Sequence, residues 1–278
     1  MFKKFFFCSA AFLTLMAADA QPLRTPIASP AQTVKQEFGI TTAELTYARP
    51  NVRGRKVFGD LVPYGKLWRT GANATTRIKF ADDVKIGDSV VKAGEYAIYT
   101  IPNENEWEVI INKGFNNQSV LDYKKEQDVV RVKVKPTKLN ESQETYTMQF
   151  VNLKPTGADL QIMWEKTAVN VPITMDVDKK VMAQIDNLIN KDNRPYFQAA
   201  MYFMESGKDM NQALSWFDKA IEQNPNAFWI HHQRANALAK LGKKEEARTA
   251  ANKSIELAKA ANNDDYVKLN EKLLVSLK

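Results

Sequence analysis

Seven cationic side chains crowd one stretch of the chain: Arg49, Arg53, Arg55, Lys56, Lys66, Arg69 and Arg77, with Asp60 the only acid among them. Tyr47, Tyr64 and Trp68 interleave with these charges. Guanidinium forks suit carboxylate, sulfate or phosphate. Aromatic faces suit sugar rings or cations, and Asn73 can both donate to and accept from a hydroxyl. Arg53, Arg55, Tyr64, Trp68, Arg69 and Asn73 are therefore the candidate ligand-binding residues, for an anionic small molecule or an acidic glycan. A structural reading stands beside this one. Pro50, Gly54, Gly59, Pro63, Gly65 and Gly71 punctuate a long connection between "AELTYA" and "TTRIKF". Such a connection has to pack onto the elements that flank it. Trp68 would then plug its end, and Arg69 would satisfy carbonyls or pair with a distant carboxylate. The orientation of Trp68 and Arg69 decides between pocket and corner.

Other chemistries find little support. The single cysteine, Cys8, sits inside an apolar N-terminal run, so no thiol nucleophile or disulfide is expected in the folded part. The two histidines, His231 and His232, are adjacent. Neighbours on a helix point about 100° apart and cannot both face one metal, so they read as a groove or surface pair. No glycine-rich phosphate loop and no zinc-protease helix is present. No calcium loop fits. Asp82, Asp83, Asp88, Glu104, Glu106 and Glu108 offer carboxylates of the kind that hydrolyse glycosides. Most of them flank turns, where Asp is favoured for local hydrogen bonding. No catalytic residue, metal site or cofactor is assigned.

The N-terminus "MFKKFFFCSAAFLTLMAADAQ" has a basic start, an apolar run and a small-x-small end at Ala18–Ala20. This is the pattern of a cleaved secretory signal over residues 1–20, and the apolar run is shorter than a membrane span needs. Cys8 lies too early for a lipid-modified cysteine. Loss of Lys3, Lys4 and Asp19 with this leader takes the formal net charge from +7 to +6. Export and so modest a charge argue against a nucleic-acid partner. No other stretch is long and apolar enough to span a membrane. The expected location is periplasmic or secreted.

Two elements of different period must position these residues. A linker over 21–32 leads into a β-domain over 33–174. Ala43, Leu45 and Tyr47 alternate with polar residues, as do Thr76, Ile78 and Phe80, and then Trp107, Val109 and Ile111. Gly87-Asp88 marks a hairpin. Short alternating strands with turns between them predict an antiparallel β-sandwich or jelly roll. From 175 to 278 the period becomes helical. Val177, Val181, Ile185, Leu188 and Ile189 share one face of a first helix, which Asp176 or Asp178 can cap. Ala213 and Ala247, Phe217 and Ala251, Ala220 and Ser254, and Ile221 and Ile255 recur at a period of 34, the length of a tetratricopeptide repeat. Two such repeats fall at about 194–227 and 228–261, and a helix at about Asp265–Leu277 caps them. The first closes on Pro225, while the second has Lys259 at that place. Repeats of this kind hold a peptide or protein partner in a groove, or brace a neighbouring domain.

The stretches "ARPNVRGRKVFGDLVPYGKLWRTGANATTRIKF" and "AGEYAIYTIPNENEWEVIIN" resemble the bacterial domain of unknown function (DUF) 2911 family. The resemblance covers roughly Thr33 to Thr174, and the helical tail resembles longer members. Matching positions are Arg53, Gly54, Arg55, Pro63, Gly65, Trp68, Arg69, Gly71 and Asn73. The resemblance implies an exported protein of Bacteroidetes-type bacteria and supplies no catalytic residue. The function expected from the whole chain is a non-catalytic binding or assembly protein. The alternatives are a carboxylate-dependent hydrolase acting on an envelope or extracellular glycan, and a purely structural envelope protein.

Overall fold

The computed structural model describes residues 25–189 and 194–277. The expected leader lies outside the described residues, as do residues 21–24 of the expected linker. Contacts divide the chain into two units that meet at Met175 and Asp176.

The first unit is built from ten strands. They are β1 (Ala31–Phe38), β2 (Thr41–Ala48), β3 (Thr76–Phe80), β4 (Val84–Ile86), β5 (Ser89–Val91), β6 (Gly94–Ile101), β7 (Trp107–Asn112), β8 (Asp128–Val134), β9 (Thr137–Lys154) and β10 (Gly157–Thr174). Strand β1 begins at Ala31, inside the segment read as linker. One sheet runs β1-β2-β3-β6-β7-β8 and the other β5-β4-β10-β9. Every pairing within them is antiparallel. Side chains from both sheets, among them Leu45, Ile78, Ile98, Trp107, Met148 and Ile162, form one apolar core. The alternation in β2 does what its period predicts, with Ala43, Leu45 and Tyr47 inward. Strand β6 departs from that rule: both of its faces are buried. The reason is a second small cluster, in which Leu67, Ile101 and Tyr123 cover Ala97, Tyr99 and Ile110 on the outer face. The Gly87-Asp88 turn joins β4 to β5, with Ile86 paired to Ser89. Gly87 has φ +59, and a Cβ there would stand 2.9 Å from Val132, so glycine is required.

The second unit is helical: α1 (Val177–Leu188), α2 (Tyr196–Glu205), α3 (Met210–Gln223), α4 (Phe228–Lys240), α5 (Lys244–Ala260) and α6 (Asp264–Ser276). Asp176 caps α1 by accepting from the Lys179 amide at 3.1 Å. Val181, Met182, Ile185 and Ile189 pack with α2 and α3 in one core. Leu188, expected on that face, is instead exposed. Leu238, Ala247, Ala251, Leu273, Leu274 and Leu277 join α4, α5 and α6 in another.

The histidines correct an expectation. His231 is at the surface, its Nε2 3.0 Å from the Pro225 carbonyl. His232 is 8% exposed. Its Nδ1 donates to Asn270 Oδ1 (2.8 Å), and its Nε2 accepts from Asn236 (3.1 Å). Asn270 in turn donates to Ser254 Oγ and to the Tyr266 carbonyl. His232 is buried because α6, which supplies Asn270, covers that face of α4.

Candidate functional site

The connection between β2 and β3 ties the two sheets together at one end of the sandwich. Near its start, Asn51 bridges to Thr145 of β9, and Val52 N–H bonds the Glu144 carbonyl at 2.8 Å. Near its end, Trp68 exchanges two backbone bonds with Thr100 of β6, at 2.8 and 2.9 Å. β3 pairs with β6 only as far as Thr76 opposite Ile98, so Trp68 continues the ladder where β3 stops. Arg49 secures the same corner, donating from Nε to the Tyr146 carbonyl and from Nη2 to Thr147 Oγ1.

Three non-glycine residues of the connection have left-handed backbones: Arg53 (φ +51), Thr70 (φ +58) and Asn73 (φ +58). A β-branched residue in that region is strained. Thr70 is fully buried, and its carbonyl accepts from Thr76 Oγ1 (2.6 Å) and Tyr146 Oη (2.8 Å). Those two hydroxyls hold the strained peptide in place. Burial pushes the Tyr146 phenol well above its ordinary pKa, so it is a constant donor.

Trp68 is half-buried. Its ring stacks on Trp164 with centroids 6.0 Å apart and planes 17° from parallel. It meets Phe58 and Tyr146 edge-on, and its Nε1 donates to the Gly71 carbonyl at 3.0 Å. The residue therefore belongs to the core and also lines a cavity of about 510 Å³. The connection is thus a packed corner whose outer side is hollow.

Arg53, Arg55, Trp68 and Arg69 line this cavity together, and Lys66 joins them. None of the lining residues is Asp, Glu or His. Arg55 is pinned, with Nε on the Val52 carbonyl (2.9 Å) and Nη2 on the Asn51 carbonyl (2.7 Å). Arg53 reaches the Ala28 carbonyl at 3.5 Å. Among the described residues the side chains of Lys66 and Arg69 have no hydrogen-bond or ion-pair partner. Arg69 thus departs from the structural reading that gave it a carbonyl or carboxylate to satisfy.

A family model for a protein of unknown function, DUF2911, matches residues 29–173. The chain belongs to the DUF2911 family. The match takes in the whole connection and both cavity-bearing sheets of this DUF2911 unit. A tetratricopeptide-repeat model matches residues 216–249, from within α3 to within α5. No curated protein matches the chain.

Two of the expected site residues stand elsewhere in the DUF2911 unit. Tyr64 packs its ring over Gly59 and lines a second cavity of about 280 Å³, with Phe58, Trp107, Glu104, Lys138 and Lys166. Burial first, then the negative charges of Glu104 and Glu165, raises its pKa. Asn73 does not line the Trp68 cavity; its amide donates to the Ser29 carbonyl at 3.0 Å, holding the N-terminal segment. Conversely, Trp164, Leu61, Val120 and Ser29 line the Trp68 cavity and are not among the expected residues. Trp164 sits in β10 between Met163 and Glu165, where the register with β9 shifts and Glu165 has φ +53, an irregularity that the alternating sequence does not announce. The facing carboxylate pair that a glycoside hydrolase needs is not among the lining residues. Among the described residues no group of three or more His, Cys, Asp or Glu could hold a metal. No described helix is long and apolar enough to cross a membrane.

Proposed function

We propose that this DUF2911 protein is an exported binding protein. The β-unit takes an anionic ligand into the Trp68 cavity, and the helical repeats engage a protein partner. The observation that carries the first half is the set of four cationic side chains, Arg53, Arg55, Lys66 and Arg69, around one cavity with no acidic lining residue. Clustered cations repel one another, and an anion relieves that repulsion. The strained Thr70 peptide next to Arg69 supports the same reading, because such strain gathers at ligand sites. The leader-like N-terminus supports export. The repeat match supports a protein partner.

The test is the melting temperature of the purified chain with a panel of anions, among them sulfate, phosphate and acidic saccharides, at low and at high salt. Stabilisation by at least one anion is expected, and it should shrink in Arg69→Ala and with salt. Equal stabilisation of native and Arg69→Ala protein removes Arg69 from the site.

A second reading keeps the connection purely structural. It is favoured by the bonds that Arg49, Arg55 and Asn73 make to backbone carbonyls or neighbouring strands. No anion stabilising either protein would select it.

A further inference from the structure

We propose that the occupant of the Trp68 cavity is a small amphipathic anion: a single carboxylate on an apolar body poor in hydroxyls. This rests on the anion-site reading above and narrows it away from acidic sugars.

Leu61, Val62, Pro63, Leu67 and Val120 line the cavity beside the two indoles. Leu61 is 42% exposed and Val120 36% exposed. Next to Val120 stands Leu121, 92% exposed at the tip of a short 3-10 turn. Large apolar side chains held open around a cavity favour an apolar guest.

Sugar recognition asks for the opposite surface. Hydroxyls need paired acceptors and donors, usually carboxylates or amides. No carboxylate lines the cavity. The one lining amide, Asn51, already has its Oδ1 engaged by Thr145 Oγ1 at 2.8 Å. A sugar ring also needs a broad free aromatic face. Trp68 spends one face on Trp164 and touches Phe58 and Tyr146 edge-on.

Apart from the Ser29 hydroxyl, the polar side chains that remain are donors. Lys66 and Arg69 are without partners among the described residues, and the guanidinium of Arg55 is held rigid with Nη1 still free. Trp164, 2% exposed, contributes its ring to the wall beside them. A donor-rich, acceptor-poor pole beside apolar walls matches a carboxylate head with an apolar tail. The volume of about 510 Å³ falls within the range of small-molecule sites.

The test titrates the purified full chain with sodium octanoate, octanol and glucuronate at low ionic strength, read by tryptophan fluorescence and calorimetry. Octanoate should bind saturably, at least about tenfold more tightly than octanol or glucuronate. Arg69→Ala should weaken octanoate about tenfold or more, and Arg69→Lys less than that, since it keeps the charge and loses the fork. Leu61→Asp should weaken octanoate as well. Lys138→Ala, in the second cavity, should leave octanoate binding unchanged. Each variant is first shown to melt cooperatively near the native temperature. Glucuronate binding as tightly as octanoate overturns the amphipathic assignment and leaves the anion site standing. Octanol matching octanoate overturns the charge requirement. Binding of none of the three, with no stabilisation by any other anion, overturns the site itself.

Discussion

In the β-unit two buried hydroxyls, Tyr146 Oη and Thr76 Oγ1, converge on the single carbonyl of Thr70. In the helical unit one buried side chain, Asn270, serves three different groups: His232 Nδ1, Ser254 Oγ and the Tyr266 carbonyl. A carbonyl oxygen has two lone pairs, so the first arrangement is redundant. Losing one donor leaves the other in place. The second arrangement is a hub, and removing it takes one partner from each neighbour at once, leaving Ser254 its bond to the Phe228 carbonyl and His232 its bond to Asn236. The difference fits what each must hold. The β-unit holds an irregular peptide in a costly left-handed conformation, whereas the helical unit fixes how α6 packs on α4 and α5.

High pH should separate the units most sharply. Five tyrosines of the β-unit, Tyr47, Tyr64, Tyr96, Tyr123 and Tyr146, have raised pKa values, with burial the leading cause in each. Tyr123 is pushed up to about 12, by burial first and then by its bond to Asp128. In the helical unit Tyr202 is raised, by burial first and then by its bond to Asp178. A neutral phenol favoured by the fold contributes stability below the ordinary value of 10.0, and that stability is lost as pH climbs through the raised value. Between pH 10 and about 12 the β-unit should therefore lose its near-ultraviolet aromatic signal before the far-ultraviolet helix signal falls. The reverse order would show that phenol burial does not set which unit yields first to alkali.

Asn270→Leu comes next in size. It should destabilise the helical unit by about 2–4 kcal/mol, because His232 and Ser254 each lose a buried partner. Denaturant unfolding followed by the helix signal measures this. Tyr146→Phe should cost only about 1 kcal/mol, since Thr76 still bonds the Thr70 carbonyl. Equal costs for the two substitutions would erase the distinction between hub and redundancy.

Much of this architecture is legible in the chain itself. Period two placed Leu45, Ile78 and Trp107 inward, and the period of 34 announced the tetratricopeptide-repeat match over residues 216–249. The failures share one physical origin. Leu67 and Tyr123 cover the outer face of β6, and α6 buries His232. Each is covered by an element distant in sequence, and alternation reports only a residue's own strand or helix. The candidate site was half legible for the same reason. Arg53, Arg55, Trp68 and Arg69 lie in one connection and share its cavity, while Trp164 and Val120 arrive from β10 and from the turn before β8. Tyr64 and Asn73 were grouped by proximity in the chain. The positive φ values at Gly65 and Asn73 turn the backbone between them and the cavity residues.

The smallest effect tests which residues of the connection hold strain for structure alone. Asn73 has φ +58, like Thr70, and is exposed. Glycine at this position would relieve a left-handed backbone, worth about 0.5–1 kcal/mol. It would also lose the 3.0 Å bond to the Ser29 carbonyl, an exposed bond worth about 0.5 kcal/mol. Asn73→Gly should therefore leave stability within about 0.5 kcal/mol of native. Its effect should appear locally instead. Ser29 and Ala28 form part of the cavity wall, and the Arg53–Ala28 contact and the Arg49 amide bond to Pro30 would be what still secures that segment. Limited proteolysis should cut the variant faster near Ser29 than the native chain, with the melting temperature unchanged. Unchanged cleavage would assign the hold on the N-terminal segment to Arg49 and Arg53, and Asn73 would keep only its place in the turn.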